Sequence, residues 1–112
     1  GMGNVLPARL ENGVLIIGSL QLPMPGRNGD HRFAAIRPEC VHLQTADRGP
    51  DKEGIPGRIQ AIVNRGLFAE LEVAAAGAVF KSVMLTSSLV NAGFRQGTRV
   101  SMRIDPADVH LI

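Results

Sequence analysis

Residues 58–74 read RIQAIVNRGLFAELEVA, and this stretch decides the class of fold. In its first half Ile59, Ala61 and Val63 alternate with polar residues, although Ile62 interrupts the polar face. In its second half the apolar positions are Leu67, Ala69, Leu71 and Val73. Because successive side chains of a strand point to opposite faces, a period of two predicts β-structure. Asn64-Arg65-Gly66 between the halves predicts a hairpin turn whose glycine supplies a positive φ.

The same period recurs along the chain, so the predicted elements are mainly strands. Val100, Met102 and Ile104 alternate with polar neighbours, and Asn12-Gly13 predicts a second hairpin turn. Helix is predicted only at residues 87–92, with Thr86 or Ser87 as N-cap and Gly93 at the end, and as one turn at Asp105-Pro106. Further strands are predicted at residues 5–10, 14–17, 19–22, 32–37 and 78–85.

The composition is that of a globular protein with little electrostatic bias. The chain of 112 residues carries 12 Lys and Arg against 10 Asp and Glu, and it contains no Trp or Tyr. Because nucleic-acid binding normally needs a basic cluster, and single strands also need stacking rings, no nucleic-acid partner is expected. One cysteine cannot form an internal disulfide, which favours a reducing compartment. Neither a transmembrane helix nor a signal peptide is expected.

The chain contains an internal repeat. Residues 36–43 read IRPECVHL and residues 104–111 read IDPADVHL, so five of the eight positions are identical. Gly29 falls on Gly97 at the same offset. The sequence therefore predicts two related units, each with a strand, a proline turn and a short apolar strand.

Two stretches carry a resemblance to a known family. Gly3-Asn4-Val5-Leu6-Pro7, followed by residues 35–43 (AIRPECVHL), resembles the C-terminal part of the ATP-binding subunits of bacterial ABC importers. Gly57-Arg58-Ile59, Gly66, Leu71-Glu72-Val73, Gly97 and Val100 resemble the TOBE (transport-associated OB) pattern.

The resemblance implies an all-β fold, an OB-like barrel module with two related lobes and one or two short helical turns. Lobe one is expected at about residues 3–45, a linker at about 46–56 and lobe two at about 57–112. The implied function is a regulatory, dimer-supporting domain of a subunit that imports a polyamine, iron, phosphonate, sulfate or sugar. The implied partners are the ATPase domain of the same chain, a second copy as homodimer and, indirectly, the membrane permease subunits. The implied location is the cytoplasm, peripheral on the inner face of the bacterial inner membrane in the parent complex.

No catalytic residues are expected in this chain. A phosphate-binding loop needs Gly-x-x-x-x-Gly-Lys-Ser/Thr, and Ala75 and Phe80 stand where Lys81-Ser82 would need glycines. The resemblance places ATP and magnesium in the ATPase domain, and no cofactor is expected here.

Arg37 and Glu39 are the candidate interface residues, because both flank Pro38, whose restricted backbone holds them near one turn. The alternative is a local surface ion pair between them, worth about 0–1 kcal/mol.

A metal site is not expected, since Cys40 and His42 supply only two ligands and a closed zinc site needs four. A Cys–His nucleophile is equally unexpected, because no third group is present to orient the base.

Thr86, Ser87 and Ser88 are the candidate oxyanion-binding residues. Hydroxyl groups at a helix start bring backbone N–H groups together with the positive end of the helix dipole. The second lobe resembles Mop domains, which hold molybdate between subunits with the help of a Thr/Ser turn. The Ser-Ala-Arg-Asn-like stretch of those domains is replaced here by Asp51-Lys52-Glu53-Gly54-Ile55-Pro56. The alternative is a helix N-cap without ligand.

Overall fold

The computed structural model describes residues 3–46 and 54–112, and most of them lie in strands, as predicted. Within these two ranges the strands are interrupted by one α-helix, α1 (Thr86–Ala92), and by two 3-10 turns (Pro38–Cys40 and Pro106–Asp108). The described part of the chain contains no helix with the length and apolar character needed to cross a membrane. The strands are β1 (Asn4–Pro7), β2 (Arg9–Glu11), β3 (Val14–Ile17), β4 (Leu20–Pro23), β5 (Phe33–Ile36), β6 (Val41–Thr45), β7 (Ile55–Arg65), β8 (Phe68–Ala75), β9 (Ala78–Leu85), β10 (Arg99–Ile104) and β11 (Val109–Leu111).

A five-stranded antiparallel sheet, in the order β6-β10-β7-β8-β9, forms the body of the fold. Two three-stranded sheets, β1-β5-β11 and β2-β3-β4, pack with it. The predicted alternation is confirmed in two of its strands, whose inward side chains are buried in the core. These side chains are Ala69, Leu71 and Val73 of β8, and Val100, Met102 and Ile104 of β10.

A β-bulge at Gln60 changes the predicted faces of β7. Ile59 pairs with Val73 and Ala61 with Glu72, so one extra residue lies between them. An extra residue reverses the alternation beyond it. Ile62 therefore lies opposite the buried Leu71, whereas Val63 is 47% exposed. The prediction of one apolar face from Ile59 to Val63 was wrong beyond the bulge.

Both predicted hairpin turns are present, with one change. Asn12 and Gly13 have φ of 52° and 73°, as a two-residue turn between β2 and β3 requires. In the other hairpin Arg65 pairs with Phe68, so Gly66 and Leu67 form the turn. Leu67, expected on the apolar face of a strand, is instead 71% exposed.

The predicted strand at residues 5–10 is two strands in different sheets. β1 pairs with β5, whereas β2 pairs with β3. The chain changes sheet at Ala8, whose N–H donates to the Arg32 carbonyl at 2.8 Å. Only Ala8 lies between the two strands, so the change of sheet takes place within one residue.

The internal repeat is a pseudo-two-fold arrangement. Each copy is a strand, a 3-10 turn and a second strand. Ile36 of the first copy pairs with Val109 of the second, and Ile104 of the second pairs reciprocally with Val41 of the first. The two units therefore form one interlocked structure.

Strand pairing crosses the predicted lobe boundary. β5 and β6 belong to lobe one, but they pair with β11 and β10 of lobe two. β7 begins at Ile55, within the predicted linker, and residues 47–53 of that linker lie outside the described residues. Strands from the two predicted lobes therefore share the same sheets.

Gly18, in the turn between β3 and β4, lies against the turn between β8 and β9. Gly18 has a φ of 58°, and a Cβ at this position would collide with the carbonyl oxygen of Ala76. The same carbonyl accepts a hydrogen bond of 2.9 Å from the Ser19 N–H. The turn between β3 and β4 thus fits against the turn between β8 and β9 only with glycine at this position.

Candidate functional site

The candidate interface residues, Arg37 and Glu39, project from the 3-10 turn that follows β5. Arg37 is extended, with φ −67° and ψ 140°, and its carbonyl accepts from the Cys40 N–H at 2.9 Å. Both side chains are exposed. Across residues 3–46 and 54–112 the ion pairs are Arg9–Glu11 and Arg65–Glu70, so the local Arg37–Glu39 pair is not formed.

The second copy of the turn shows that Arg37 is not needed to hold the backbone. Asp105 occupies the equivalent position, and its carboxylate accepts a hydrogen bond of 2.9 Å from the Ala107 N–H. Arg37 cannot accept such a bond, and its turn has no side-chain cap. The same backbone forms in both copies, so the Arg37 side chain is free to make other contacts.

Cys40 and Asp108, which occupy equivalent positions of the two copies, face each other. Together with Arg37 and His110 they line an open cleft of about 360 Å³. Burial raises the pKa of the Cys40 thiol above its ordinary value of 9.0, and the charges of Asp108 and Glu39 raise it further. The Arg37 guanidinium acts in the opposite direction. The net rise in pKa favours the neutral thiol, which is the less reactive form.

The candidate oxyanion-binding residues occupy the first positions of α1, and the expected N-cap is wrong. The N-cap is Leu85, and no side chain caps the helix. The Thr86 hydroxyl donates instead to the Gly66 carbonyl at 2.5 Å, and the Thr86 N–H donates to the Leu67 carbonyl at 2.8 Å. Thr86 therefore ties the helix start to the β7–β8 turn, whereas the side chains of Ser87 and Ser88 are exposed. Gly93 ends the helix as predicted, with a φ of 68°.

The three histidines and the cysteine do not meet at one site: His110 lines the cleft of Cys40, whereas His42 and His31 line other clefts. His42 and His110 are exposed at equivalent strand positions, and His31 contacts the Asn28 carbonyl at 3.2 Å. Within the described ranges, no three His, Cys, Asp or Glu side chains form a group that could hold a metal ion.

Asn4 is a structural residue whose role sequence reasoning missed. It is only 4% exposed, and its side-chain amide contacts the edge of β9 as a backbone peptide would. Its Oδ1 accepts from the Lys81 N–H at 2.5 Å, and its Nδ2 donates to the carbonyls of Lys81 at 2.9 Å and Ile36 at 3.1 Å. Asn4 thereby joins β1 to β9 without a strand ladder. The signal in the sequence is a polar residue at an inward position.

Ser82 likewise has a structural role. Its side chain is 2% exposed, and its hydroxyl donates to the Val41 carbonyl at 2.7 Å. Lys81-Ser82 lies in the middle of β9, away from any helix start, in agreement with the absence of a phosphate-binding loop.

Most of the chain matches the model of a known domain family. Residues 34–112, which begin in β5 and include both copies of the repeat, match the model of the TOBE domain. The chain belongs to the TOBE domain family. Within the matched range lie both candidate sites of this TOBE domain, Arg37 with Glu39 and Thr86 with its two serine neighbours. No curated protein matches the sequence.

A solved structure shares the whole fold of this TOBE domain. It is a crystal structure, with molybdate bound, described as that of the cytoplasmic molybdate-binding protein ModG. The TM-score is 0.74 at 17% sequence identity, and the match covers 96% of this chain and 94% of that one. At this identity the similarity shows a common fold, and it confirms the expected OB-like class.

Proposed function

We propose that this TOBE domain is the non-catalytic regulatory module of a bacterial ABC importer's ATP-binding subunit, and that it supports the homodimer of that subunit. Membership of the TOBE family supports a regulatory module. The observation that carries the dimer contact is the exposed Arg37-Pro38-Glu39 turn, whose backbone forms without help from either charged side chain. Free charges of both signs on one rigid turn suit a self-complementary two-fold contact.

The other parts of the proposal follow from the parent subunit. ATP and magnesium belong to the ATPase domain of that subunit, which contacts the permease in the membrane, so the module lies at the inner face of the bacterial inner membrane. The imported solute belongs to the polyamine, iron, phosphonate, sulfate or sugar class. The genomic sequence upstream provides the first test, since it should encode a Gly-x-x-x-x-Gly-Lys-Ser/Thr loop. A gene without that loop would contradict the proposal.

A charge-reversal experiment tests the proposed interface in the parent subunit. Arg37→Glu or Glu39→Arg should weaken the dimer about tenfold or more, since like charges would then meet across the interface. Analytical ultracentrifugation gives the dissociation constant of each variant. Arg9→Glu, on the exposed strand β2, is the matched control and should leave the dimer unchanged. Unchanged dimerisation in both interface variants would refute this interface.

An oxyanion-sensing domain of the Mop type is the second candidate. The fold shared with a molybdate-binding protein favours it, as do the exposed Ser87 and Ser88 at a helix start without a side-chain cap. The Thr86 hydroxyl, however, already donates to Gly66. Molybdate at a hundredfold excess over its Kd would stabilise the fold by about 2.7 kcal/mol. A saturable rise in melting temperature that Ser87→Ala abolishes would favour this candidate over the importer module.

A further inference from the structure

The outward face of the five-stranded sheet carries two arginines side by side. Arg99 of β10 pairs with Arg58 of β7, and the same row continues through Ala74 of β8 to Val79 of β9. The adjacent residue on β10, Val100, is buried in the core, so this row points away from it. Both arginine side chains are exposed.

These arginines occupy the closer of the two kinds of cross-strand pair. The next pair along, Ile59 and Thr98, is joined by a backbone hydrogen bond of 2.9 Å from the Ile59 N–H to the Thr98 carbonyl. Hydrogen-bonded and non-hydrogen-bonded pairs alternate in an antiparallel ladder. Arg58 and Arg99 therefore form a non-hydrogen-bonded pair, in which side chains lie closest together. Like charges directly opposite each other repel, so the pair is unfavourable without an anion.

No carboxylate in the part of the chain that the structure describes forms an ion pair with either arginine. On the same face of β8, the carboxylate of Glu72 accepts a hydrogen bond of 3.3 Å from the Gln60 side chain. The charges of Arg58 and Arg99 are thus not neutralised by these residues.

An open cleft of about 600 Å³ lies beside the pair and is lined by both arginines. Gly57, Ala74, Gly77 and Ala78 also line it. These short side chains leave room for a ligand to approach the two guanidinium groups. A guanidinium presents five N–H donors in a fork that matches the oxygens of a phosphate, and two such forks can bind one doubly charged group.

We propose that Arg58 and Arg99 form a binding site for a phosphate group, free or esterified, held between the two guanidinium groups over the cleft. This site is separate from the serines of α1. Val79 lies in the row of the two arginines, and Leu85 directly precedes α1. The two residues lie near opposite ends of β9, about 20 Å apart at the usual rise of a strand. The site is also independent of the importer proposal, because it involves neither Arg37 nor Glu39.

Isothermal titration of the whole chain with inorganic phosphate at pH 8 tests the site, with sodium chloride added to hold the ionic strength constant. Saturable binding is expected, and Arg58→Gln or Arg99→Gln should weaken it at least tenfold. Arg103→Gln is the matched control, because Arg103 is exposed on the same strand and face and the charge change is the same. A parallel titration with glycerol phosphate identifies the source: tighter binding indicates an ester, and equal binding indicates the free ion.

A second measurement separates binding from general salt effects. At low salt without phosphate, Arg99→Gln should raise the melting temperature, because it removes the repulsion between the two guanidinium groups. With phosphate present, wild type should gain more than the variant, while Ser87→Ala should behave as wild type. The proposal would be overturned if wild type showed no saturable phosphate binding. It would also be overturned if both Arg58→Gln and Arg99→Gln bound phosphate as strongly as wild type.

Discussion

The hydroxyl of Ser82 donates a hydrogen bond of 2.7 Å to the carbonyl of Val41, and this bond joins the two edge strands of the five-stranded sheet. Ser82 belongs to β9 and Val41 to β6, which are the first and last strands in the spatial order. The sheet therefore curves until its edges meet, and a buried side chain takes the place of a backbone ladder.

Ser82→Ala should lower the free energy of unfolding by about 1–3 kcal/mol, since a buried hydrogen bond is lost. Urea denaturation measures the change. Ser101→Ala, a half-buried serine on β10, is the control and should cost less than about 0.5 kcal/mol. Equal losses in the two variants would show that the bond between the edges does not stabilise the fold.

Asn4→Ala should have an effect of similar origin at the other contact of β9. Its removal leaves the Lys81 N–H and the carbonyls that Asn4 contacts without their side-chain partner, at a cost of about 1–3 kcal/mol. Amide hydrogen exchange at Lys81 should become faster in the variant. Val5→Ala, at an exposed neighbour, is the control and should leave exchange at Lys81 unchanged. If exchange at Lys81 stayed slow in Asn4→Ala, the Asn4 side chain would not be the group that protects this N–H.

Gly18→Ala should destabilise the fold by about 2–5 kcal/mol, because it adds a collision with the Ala76 carbonyl to the cost of a positive φ. Gly26→Ala is the matched control. Gly26 has a φ of 79° but open space around it, so only the conformational cost of about 1–2 kcal/mol applies. Thermal and urea denaturation would compare the two variants, and similar losses would show that the close approach is unimportant.

The raised pKa of Cys40 predicts a pH dependence of stability. The unfolded thiol ionises around its ordinary pKa of 9.0, whereas the folded thiol keeps its proton to higher pH. The folded state then binds more protons than the unfolded state, so stability should fall as pH rises from 9.0 through the folded pKa. Cys40→Ala should lack this part of the fall.

The rate at which the Cys40 thiol is alkylated at pH 8 should rise in Asp108→Asn, because the charge of Asp108 raises the pKa of this thiol. The rate should not rise in Glu11→Gln.

Met102→Asp and Ser101→Asp test the alternation in β10. Met102 is fully buried, so an aspartate at its position leaves an unpaired charge or a protonated acid in the core and should cost about 3–5 kcal/mol. The adjacent Ser101 points to the other face and is half-buried, so the same change should be mild. Comparable urea midpoints for the two variants would show that the faces are assigned incorrectly.

Periodicity predicted most strands of this fold because burial on one face constrains every second residue. It failed where one residue changes the count, as at the Gln60 bulge, because Ile62 interrupts the alternation without showing which residue is inserted. It also could not separate β1 from β2, because the change of sheet at Ala8 depends on which strands lie nearby.

The candidate sites were only partly predictable. Arg37 and Glu39 could be selected because proline restricts their turn. The pairing of Arg58 with Arg99 depends on strands far apart in sequence, and neither the register nor the cleft can be inferred from local spacing. The role of the Thr86 hydroxyl depends in the same way on its contact with Gly66.

The reciprocal pairing of the repeat also has a consequence for synthesis on the ribosome. Ile36 and Val109, like Val41 and Ile104, are separated by more than half of the chain. During translation β5 and β6 emerge long before β10 and β11. Until β10 and β11 are made, the edges of β5 and β6 that will pair with them are open to other nascent chains. Contacts between residues so distant in sequence also slow folding. A chain truncated before residue 99 would leave β6 without a strand partner and β5 with β1 alone, and it should accumulate as aggregate.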